Sequence, residues 1–404
     1  MKVSKYYPFA FVYFFVNAVG LPFGLLYTII LTPIFYLWII IKGKRLILFK
    51  FFALATPFII VHLINGVDIF QYAKSWALFF TVYIFCYSFY TLITWYDGIE
   101  EIFKKISIAN FLLTIVALFF VFTSFRSVFW DAGHWATNSQ AWPRLSMLTY
   151  EASYYATLLV PIFAFYFIPF ILRQNMKKSF IQLLVIAIPL ILTLSLGVIG
   201  SLFIATVMLI LLNIRRFLTS KRLLYSLVII ATIGFVAFIF LIVFYRDNPL
   251  FSRAASFVMG NDQSGRGRTT EAFYLGYTIA DLKSISWGVG PGQLKIIGDS
   301  VIRSFYLYPA SITQVSIPNA LAETLTLFGL IGALLRLSVE MFLFFRTKVL
   351  SNYYRSFLFF FIFIYQFTGS FTTNIAEYVI WILAFTNVFP KFDRSYRQQG
   401  KLDN

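Results

Sequence analysis

The chain has 404 residues, of which 60% are hydrophobic and only 12% are charged, whereas soluble globular domains are about a quarter charged. Aromatic residues are frequent, with 51 Phe, 25 Tyr and 8 Trp. This composition leaves too little polar surface for a water-soluble fold and contains too many apolar residues for a disordered chain. It predicts an all-α polytopic membrane protein.

The apolar runs predict about twelve membrane spans, since a helix needs about 20 apolar residues to cross the hydrocarbon core. They lie near residues 6–20, 23–41, 47–65, 74–94, 105–124, 149–171, 179–196, 198–214, 223–244, 319–338, 356–371 and 374–389. The short basic N-terminus is followed by no small-residue cleavage site, so the first run is interpreted as a membrane helix.

The basic residues predict the orientation of these spans, because cytoplasmic loops carry an excess of Lys and Arg. Alternate connections hold 22 of the 33 Lys and Arg residues, and the connections on the other side hold ten. Both termini are therefore expected in the cytoplasm. The net charge of +17 is mostly a topology signal, so nucleic acid is not an expected partner.

Two external loops, near residues 125–148 and 245–318, interrupt what is otherwise a single membrane domain covering residues 1–404. The second loop is large and contains the segment 269–285, in which apolar residues recur at helical spacing. This spacing predicts an amphipathic helix that is able to lie at the membrane surface.

Within the predicted helix, Phe273, Ile279 and Leu282 are expected to lie near one another, with the acidic residues elsewhere. The next segment, Trp287-Gly-Val-Gly-Pro-Gly292, is rich in glycine. It is predicted to be a loop.

Ionisable residues in or beside membrane spans are costly and are functional candidates by default. Glu151 and Glu323 are predicted at the external mouths of the sixth and tenth spans, which favours function. Glu377 opens the twelfth span and is equally explained as a solvated residue at a helix start. Arg336 and Glu340 are four residues apart and predict a structural ion pair near the cytoplasmic surface.

Arg266 and Arg268 lie in a short Gly-rich segment immediately before the predicted amphipathic helix. Guanidinium groups bind phosphate oxygens in bidentate fashion, and a helix N-terminus adds free backbone amides. A phosphate site and a basic loop lying on lipid head groups explain this spacing equally well.

The two histidines and the single cysteine exclude several kinds of chemistry. One cysteine, Cys86, permits no internal disulfide and no cysteine cluster for a metal, and the chain contains no Walker or HExxH motif. No metal or cofactor is therefore expected. His62 is interpreted as a packed or pore-facing residue, and His134, in the first external loop, as a loop residue or a single general base.

Three motifs of the sequence resemble, in order and spacing, those of the bacterial O-antigen polymerase (Wzy) and O-antigen ligase (WaaL) superfamily. They are the segment from Arg144 to Glu151, the pair Ser264-Gly-Arg266 and Trp287-Gly-Val-Gly-Pro-Gly292, and Pro318-Asn319 followed by Gly329-Leu-Ile-Gly332. The family commonly has histidine where this chain has Pro318, a departure that counts against the ligase and leaves the general base unassigned.

The resemblance implies a GT-C-like glycosyltransferase of the bacterial inner membrane. Such an enzyme transfers a growing glycan from undecaprenyl pyrophosphate to another lipid-linked repeat unit on the periplasmic side. Arg266 and Arg144, with Arg268 third, would stabilise the charge that develops on the pyrophosphate. Glu323 or Glu151 would then accept the proton of the acceptor hydroxyl.

Further residues and partners follow from the same resemblance. Asn319, Tyr150 and His134 are candidates for binding the glycan or the pyrophosphate. The expected partners are the undecaprenyl-pyrophosphate-linked glycan, membrane lipid and a chain-length regulator protein.

Two other functions remain open at this stage. An O-antigen ligase would pass the glycan to lipid A core instead of to a second repeat unit. A transporter or flippase for lipid-linked oligosaccharide would move its substrate without chemistry, and such folds typically show internal repeats and broken helices near the bilayer midplane.

Overall fold

The computed structural model describes residues 27–43, 48–95, 98–131, 143–149, 151–172, 176–214, 263–306 and 315–394. Thirteen α-helices and one two-stranded antiparallel sheet are present in these residues. The helices are α1 (Tyr27–Gly43), α2 (Leu48–Ile64), α3 (Ile69–Trp95), α4 (Ile99–Phe120), α5 (Ala152–Ile171), α6 (Met176–Leu192), α7 (Leu196–Leu211), α8 (Gln263–Arg268), α9 (Thr270–Asp281), α10 (Gly298–Tyr306), α11 (Ala320–Arg346), α12 (Tyr353–Tyr365) and α13 (Ile375–Phe385). The strands are β1 (Trp130–Asp131) and β2 (Arg144–Leu145).

Most predicted spans coincide with helices. Four helices, α3, α4, α5 and α11, are long and apolar enough to cross a membrane, and six shorter apolar helices accompany them among the described residues. The predicted spans near 6–20 and 223–244 lie outside the described residues, so the number of twelve stays a prediction. Apolar side chains such as Phe49, Ile64 and Phe119 are largely exposed on the outer faces of these helices, as expected of a membrane-embedded protein.

Helix α5 is the centre of the helical core. In its most apolar stretch 78% of the residues are buried within the protein, against 28% for α11. It packs against α6, α7, α12 and α13, and its buried face combines small residues with aromatic rings such as Tyr155 and Phe165. Four other helices therefore pack against α5.

Helix α9 confirms the amphipathic helix that the spacing predicts within residues 269–285. Its buried residues include Ala272, Leu275 and Ile279, and they pack against the first turns of α11 in a separate apolar cluster. At Gly276 an added Cβ would lie 2.9 Å from the backbone oxygen of Ala322, so the two helices touch closely. The apolar face therefore packs on protein, and Leu282, expected on that face, is half exposed.

Helix α11 is broken at Gly329, whose backbone has φ +66° and ψ −167°. Arg336 Nη1 lies 3.2 Å from Thr324 Oγ1, whereas twelve residues of a straight helix span about 18 Å. The two halves of α11 are therefore folded toward each other. The predicted tenth span, 319–338, is not one straight helix.

The glycine-rich segment that follows α9 satisfies the backbone groups freed by this break. The amides of Val289 and Gly290 donate to the carbonyls of Thr326 and Leu327 at 3.0 and 2.9 Å. In the other direction, the amide of Leu330 donates to the carbonyl of Ile285 at 2.9 Å. Irregular backbone at membrane depth is tolerated only where protein covers it, and this loop provides the cover.

The second half of α11 runs antiparallel to α12. Arg336 and Glu340 contact Gln366 at the end of α12, and the rings of Phe344 and Phe359 lie 4.4 Å apart. Arg336 therefore lies at the end of the helical core where α11 begins. The fold at Gly329 returns the chain to that end, and the position of Arg336 near the cytoplasmic surface stays a prediction.

Candidate active site

Four helix N-termini meet at one end of the core. Helices α5, α9, α11 and α13 begin after Glu151, Thr269, Asn319 and Asn374 respectively. Tyr154 of α5 packs on Ala376 of α13. Helix N-termini carry partial positive charge, so this end of the core favours anions.

Asn319 joins α11 to the arginine-bearing segment before α9. Its Oδ1 accepts from the backbone amide of Ala322 at 2.8 Å, which caps the helix. Its Nδ2 donates to the carbonyls of Arg268 and Phe367 at 2.8 and 2.7 Å. Asn319 is fully buried and all of these polar atoms are engaged, so it positions Arg268. The predicted contact with substrate stays a prediction.

Arg268 lies next to Glu151, with 3.8 Å between Arg268 Nη2 and Glu151 Oε1. Both side chains are partly exposed. Ser153 donates a short hydrogen bond to the Glu151 carboxylate and fixes its orientation. At this distance the ion pair is loose.

Arg144 is held by strand pairing and is almost completely buried. Asp131 and Arg144 are partners in the β1–β2 ladder, and Arg144 Nε donates to the carbonyl of Thr193 at 3.0 Å. Burial lowers the pKa of the Arg144 guanidinium, while the nearby carboxylate of Glu151 acts in the opposite direction. Glu151 therefore stands between the charges of two arginines, Arg144 and Arg268.

Arg266 is more exposed than the other two arginines, at 61% of its side chain. It pairs with Glu271 in the first turn of α9, with 2.8 Å between Nη2 and Oε1. The three predicted arginines thus each have an acidic neighbour.

Glu323 lies one turn into α11 and is held from one side only. Its Oε2 accepts from the backbone amide of Thr372 at 2.7 Å and from the Thr372 hydroxyl at 3.0 Å. No described donor is hydrogen-bonded to its Oε1. A carboxylate with one anchored oxygen has the geometry of an oriented proton acceptor.

A buried ionic network lies directly behind these residues. Arg336 Nε lies 3.1 Å from Glu340 Oε1, and Arg336 Nη2 makes a second ion pair, with Glu377 Oε1. The Arg336 Nε also donates to Gln366 at 2.9 Å, and Gln366 Nε2 donates to Glu340 at 2.7 Å. The predicted Arg336–Glu340 pair is therefore present. Glu377 is buried at 1% exposure, so its interpretation as a solvated residue is wrong.

Sequence reasoning missed the polar partners of this network. Gln366 and Thr324 hydrogen-bond to Arg336, and Trp381 Nε1 lies 3.3 Å from Glu377 Oε1. A glutamine at the end of an otherwise apolar run was a detectable signal. The hydrogen bond from Arg144 to Thr193 had no such signal, since its acceptor is a backbone carbonyl, which any residue type provides.

Two predicted ligands, Tyr150 and His134, lie outside the described residues. His62 is packed within the protein, which agrees with the first of the two interpretations given above. Its Nε2 lies 2.7 Å from the carbonyl of Trp287 and its Nδ1 lies 3.1 Å from the Tyr72 hydroxyl. It therefore anchors the glycine-rich loop to α2 and α3.

Within the part of the chain that the structure describes, no group of three His, Cys, Asp or Glu side chains is arranged to hold a metal ion. No protein-family model matches the chain, and no curated protein matches it.

Proposed function

We propose that the protein is a membrane glycosyltransferase that polymerises polyprenyl-pyrophosphate-linked oligosaccharide repeat units into a surface polysaccharide such as O-antigen. One observation carries the proposal: three segments far apart in the sequence meet at one end of the core. Glu151 contacts Arg268, and Arg268 is held by Asn319. These segments carry the motifs on which the resemblance to the polymerase and ligase superfamily rests.

The arginines suit the departing group of this reaction. As the bond between the anomeric carbon and the pyrophosphate oxygen breaks, its electron pair stays on the pyrophosphate and negative charge grows there. Preorganised donors aimed at developing charge lower the barrier. Arg268 and Arg144, together with the helix N-termini, support this role, and Arg266 lies on the exposed side, where a lipid-linked pyrophosphate would approach.

Glu323 suits the acceptor side. The acceptor hydroxyl forms the new bond to the anomeric carbon and releases its proton to the free oxygen of Glu323, or to Glu151. The two hydrogen bonds from Thr372 hold the other Glu323 oxygen in place. The lipid pyrophosphate supplies the driving force, so no nucleotide, metal or other cofactor enters the proposal.

The cellular setting of the proposal is the bacterial inner membrane, with both termini in the cytoplasm and the site facing the periplasm. The excess of basic residues on alternate connections supports this orientation. A chain-length regulator protein is the proposed partner, as the resemblance to the polymerase and ligase superfamily implies.

A second candidate function is transport of a lipid-linked oligosaccharide. It is favoured by the break at Gly329 and by the buried network around Arg336, since transporters commonly bind their substrate at broken helices. The ligase receives no such support, and Pro318 counts against it.

The test uses purified protein in nanodiscs with an undecaprenyl-pyrophosphate-linked repeat unit from its own host. Products separated on a gel should form a ladder spaced by one repeat unit. A single product carrying one added glycan on a lipid A core acceptor, without a ladder, would instead identify a ligase.

A further inference from the structure

Each nitrogen of the Arg336 guanidinium contacts a different part of the core. Nε donates to Gln366 Oε1, at the end of α12, at 2.9 Å. Nη1 lies 3.2 Å from the Thr324 hydroxyl oxygen and 3.5 Å from the carbonyl oxygen of Ala320, both at the start of α11. Nη2 pairs with Glu377 in the first turn of α13. One side chain therefore joins the end of α12 to the beginnings of α11 and α13.

The Nη1 contacts hold the helical turn that carries Glu323. Ala320 and Thr324 lie on either side of Glu323 in the sequence of this turn. The Thr324 hydroxyl also donates to the Ala320 carbonyl at 2.7 Å. Arg336 therefore binds the turn from which the Glu323 side chain projects.

The Nη2 contact leads to the carboxylate of Glu323 through α13. Nη2 of Arg336 pairs with Glu377, and the next residue, Tyr378, donates its hydroxyl to the carbonyl of Thr372 at 2.7 Å. The amide and the hydroxyl of Thr372 in turn hold Glu323 Oε2. The backbone of Glu323 and its anchored oxygen are therefore both connected to Arg336.

Burial distinguishes the residue that is able to meet a substrate from the residues behind it. Glu323 is partly exposed, whereas Thr324, Thr372 and Glu377 are buried. Every nitrogen of the Arg336 guanidinium already has an acceptor within the protein. Its guanidinium is therefore committed to protein contacts.

We propose that Arg336 is a positioning residue for Glu323, which directs the free Glu323 oxygen toward the acceptor hydroxyl. A carboxylate that accepts a proton in the transition state has to be held in the right direction, and a small misplacement is costly. The inference rests on the proposed function, because Glu323 is the proton acceptor of that reaction.

The test compares Arg336→Lys with Glu340→Gln in purified protein. Lysine keeps the positive charge but has a single nitrogen on a flexible stem, so it cannot join three segments. The resulting misplacement of Glu323 should lower kcat for chain extension about 100-fold and leave KM for the lipid-linked repeat unit unchanged. The control, Glu340→Gln, changes the contact of Nε, which lies on neither path to Glu323, and should retain kcat. Equal values of kcat in the two variants would overturn the proposal.

A double variant separates positioning from a general loss of structure. If Arg336 acts through Glu323, Arg336→Lys should lower kcat no further once Glu323 has been replaced by Gln. Losses that multiply in the double variant would overturn the proposal, because Arg336 would then act on turnover independently of Glu323.

A second pair of variants covers the case in which Arg336→Lys fails to fold. Thr324→Val removes the hydroxyl that Nη1 contacts with little change of shape, whereas Thr324→Ser keeps a hydroxyl. An infrared difference spectrum of each variant against its Glu323→Gln form isolates the carboxyl band of Glu323. This band should shift in Thr324→Val and keep its wild-type position in Thr324→Ser. An unshifted band in Thr324→Val would overturn the proposal.

The two proposals fail separately, since the infrared band requires no turnover. If wild-type protein makes a polymer ladder but the Glu323 band is unshifted in Thr324→Val, the positioning role is wrong and the polymerase stands. If the band shifts as expected but wild-type protein makes no ladder, Arg336 positions Glu323 and the polymerase is wrong.

Discussion

The side-chain amide of Asn319 donates a hydrogen bond to the backbone carbonyl of Arg268 at 2.8 Å, across 51 residues of sequence. Through this bond the N-terminus of α11 fixes the position of an arginine that lies beside Glu151. Asn319 itself is fully buried. Its contribution is therefore to hold two segments of the site in register.

Replacing Asn319 by Asp separates its two roles. Asp retains an oxygen that caps α11, worth about 1 kcal/mol, but cannot donate to the carbonyls of Arg268 and Phe367. We expect the thermal midpoint of Asn319→Asp to fall at least as far as that of Asn319→Ala, because the second carboxylate oxygen would face the carbonyls of Arg268 and Phe367 in a buried site. Both variants should lose most chain extension. An Asp variant that extends chains normally would show that the position of Arg268 does not matter.

Arg268→Ala should abolish chain extension while the protein still inserts and folds, because the partly exposed guanidinium faces Glu151 and stabilises no core contact. Arg266→Ala should also reduce chain extension. The matched control is Arg303→Ala, which removes an i, i+4 pair with Asp299 on α10. Ladder length on a gel is the measurement, and polymer of wild-type length from Arg268→Ala would remove this residue from the mechanism.

Glu323→Gln tests the proton acceptor with little change of shape. The amide oxygen of Gln still accepts the two hydrogen bonds from Thr372, so stability should change little. Turnover should fall by a factor of about 100 or more, the usual scale for loss of a general base. If the turnover of Glu323→Gln equals that of the wild type at every pH tested, Glu323 has a structural role. Glu151 or His134 would then be the candidate base.

The buried pair of Arg336 and Glu377 predicts a non-additive effect on stability. Their side chains are 14% and 1% exposed. Arg336→Met leaves Glu377 and Glu340 buried without their cation and should cost about 3–5 kcal/mol, whereas Glu377→Leu leaves Arg336 paired with Glu340 and should cost less. Replacing Arg336 by Met and Glu377 by Leu together should cost less than the sum of the two single losses. Thermal unfolding in detergent measures all three variants, and strictly additive losses would argue against a direct pair.

Gly329 and Gly200 form a matched pair for testing the break in α11. A Cβ at Gly329 would lie 2.3 Å from the backbone of Ser286, and its φ is +66°, so Gly329→Ala should strongly destabilise the protein. A Cβ at Gly200, within α7, meets nothing within 4 Å. Gly200→Ala should therefore raise the free energy of unfolding by about 0.5–1 kcal/mol. The comparison uses thermal unfolding, and a neutral Gly329→Ala would contradict the break.

Much of the helical framework follows from the sequence because long apolar runs have one stable form in a bilayer. The run that gives α5 was predicted at 149–171 and is found at Ala152–Ile171. The break in α11 was not predicted, since Gly329 lies within an apolar run whose hydropathy is continuous. The carbonyls and amides that satisfy the break come from residues 285–290, and no local pattern records that contact.

Some residues of the candidate site could be identified from local sequence features, and others only from the fold. Glu151 and Glu323 were identified by charge beside apolar runs, and Arg268 by its place just before the predicted amphipathic helix; both are local properties. The placement of Arg336 required the chain reversal at Gly329, and the role of Asn319 required knowledge of its distant partners. Residues that act through long-range hydrogen bonds are therefore the ones that sequence reasoning misplaces.

The most direct test of the central claim uses proteoliposomes loaded with a fluorescent, undecaprenyl-pyrophosphate-linked repeat unit in both leaflets. The polymerase account predicts a ladder of products spaced by one repeat unit in wild-type vesicles and none in Arg268→Ala vesicles. Translocation of intact substrate between the leaflets, without any ladder, would contradict it and would identify the protein as a flippase.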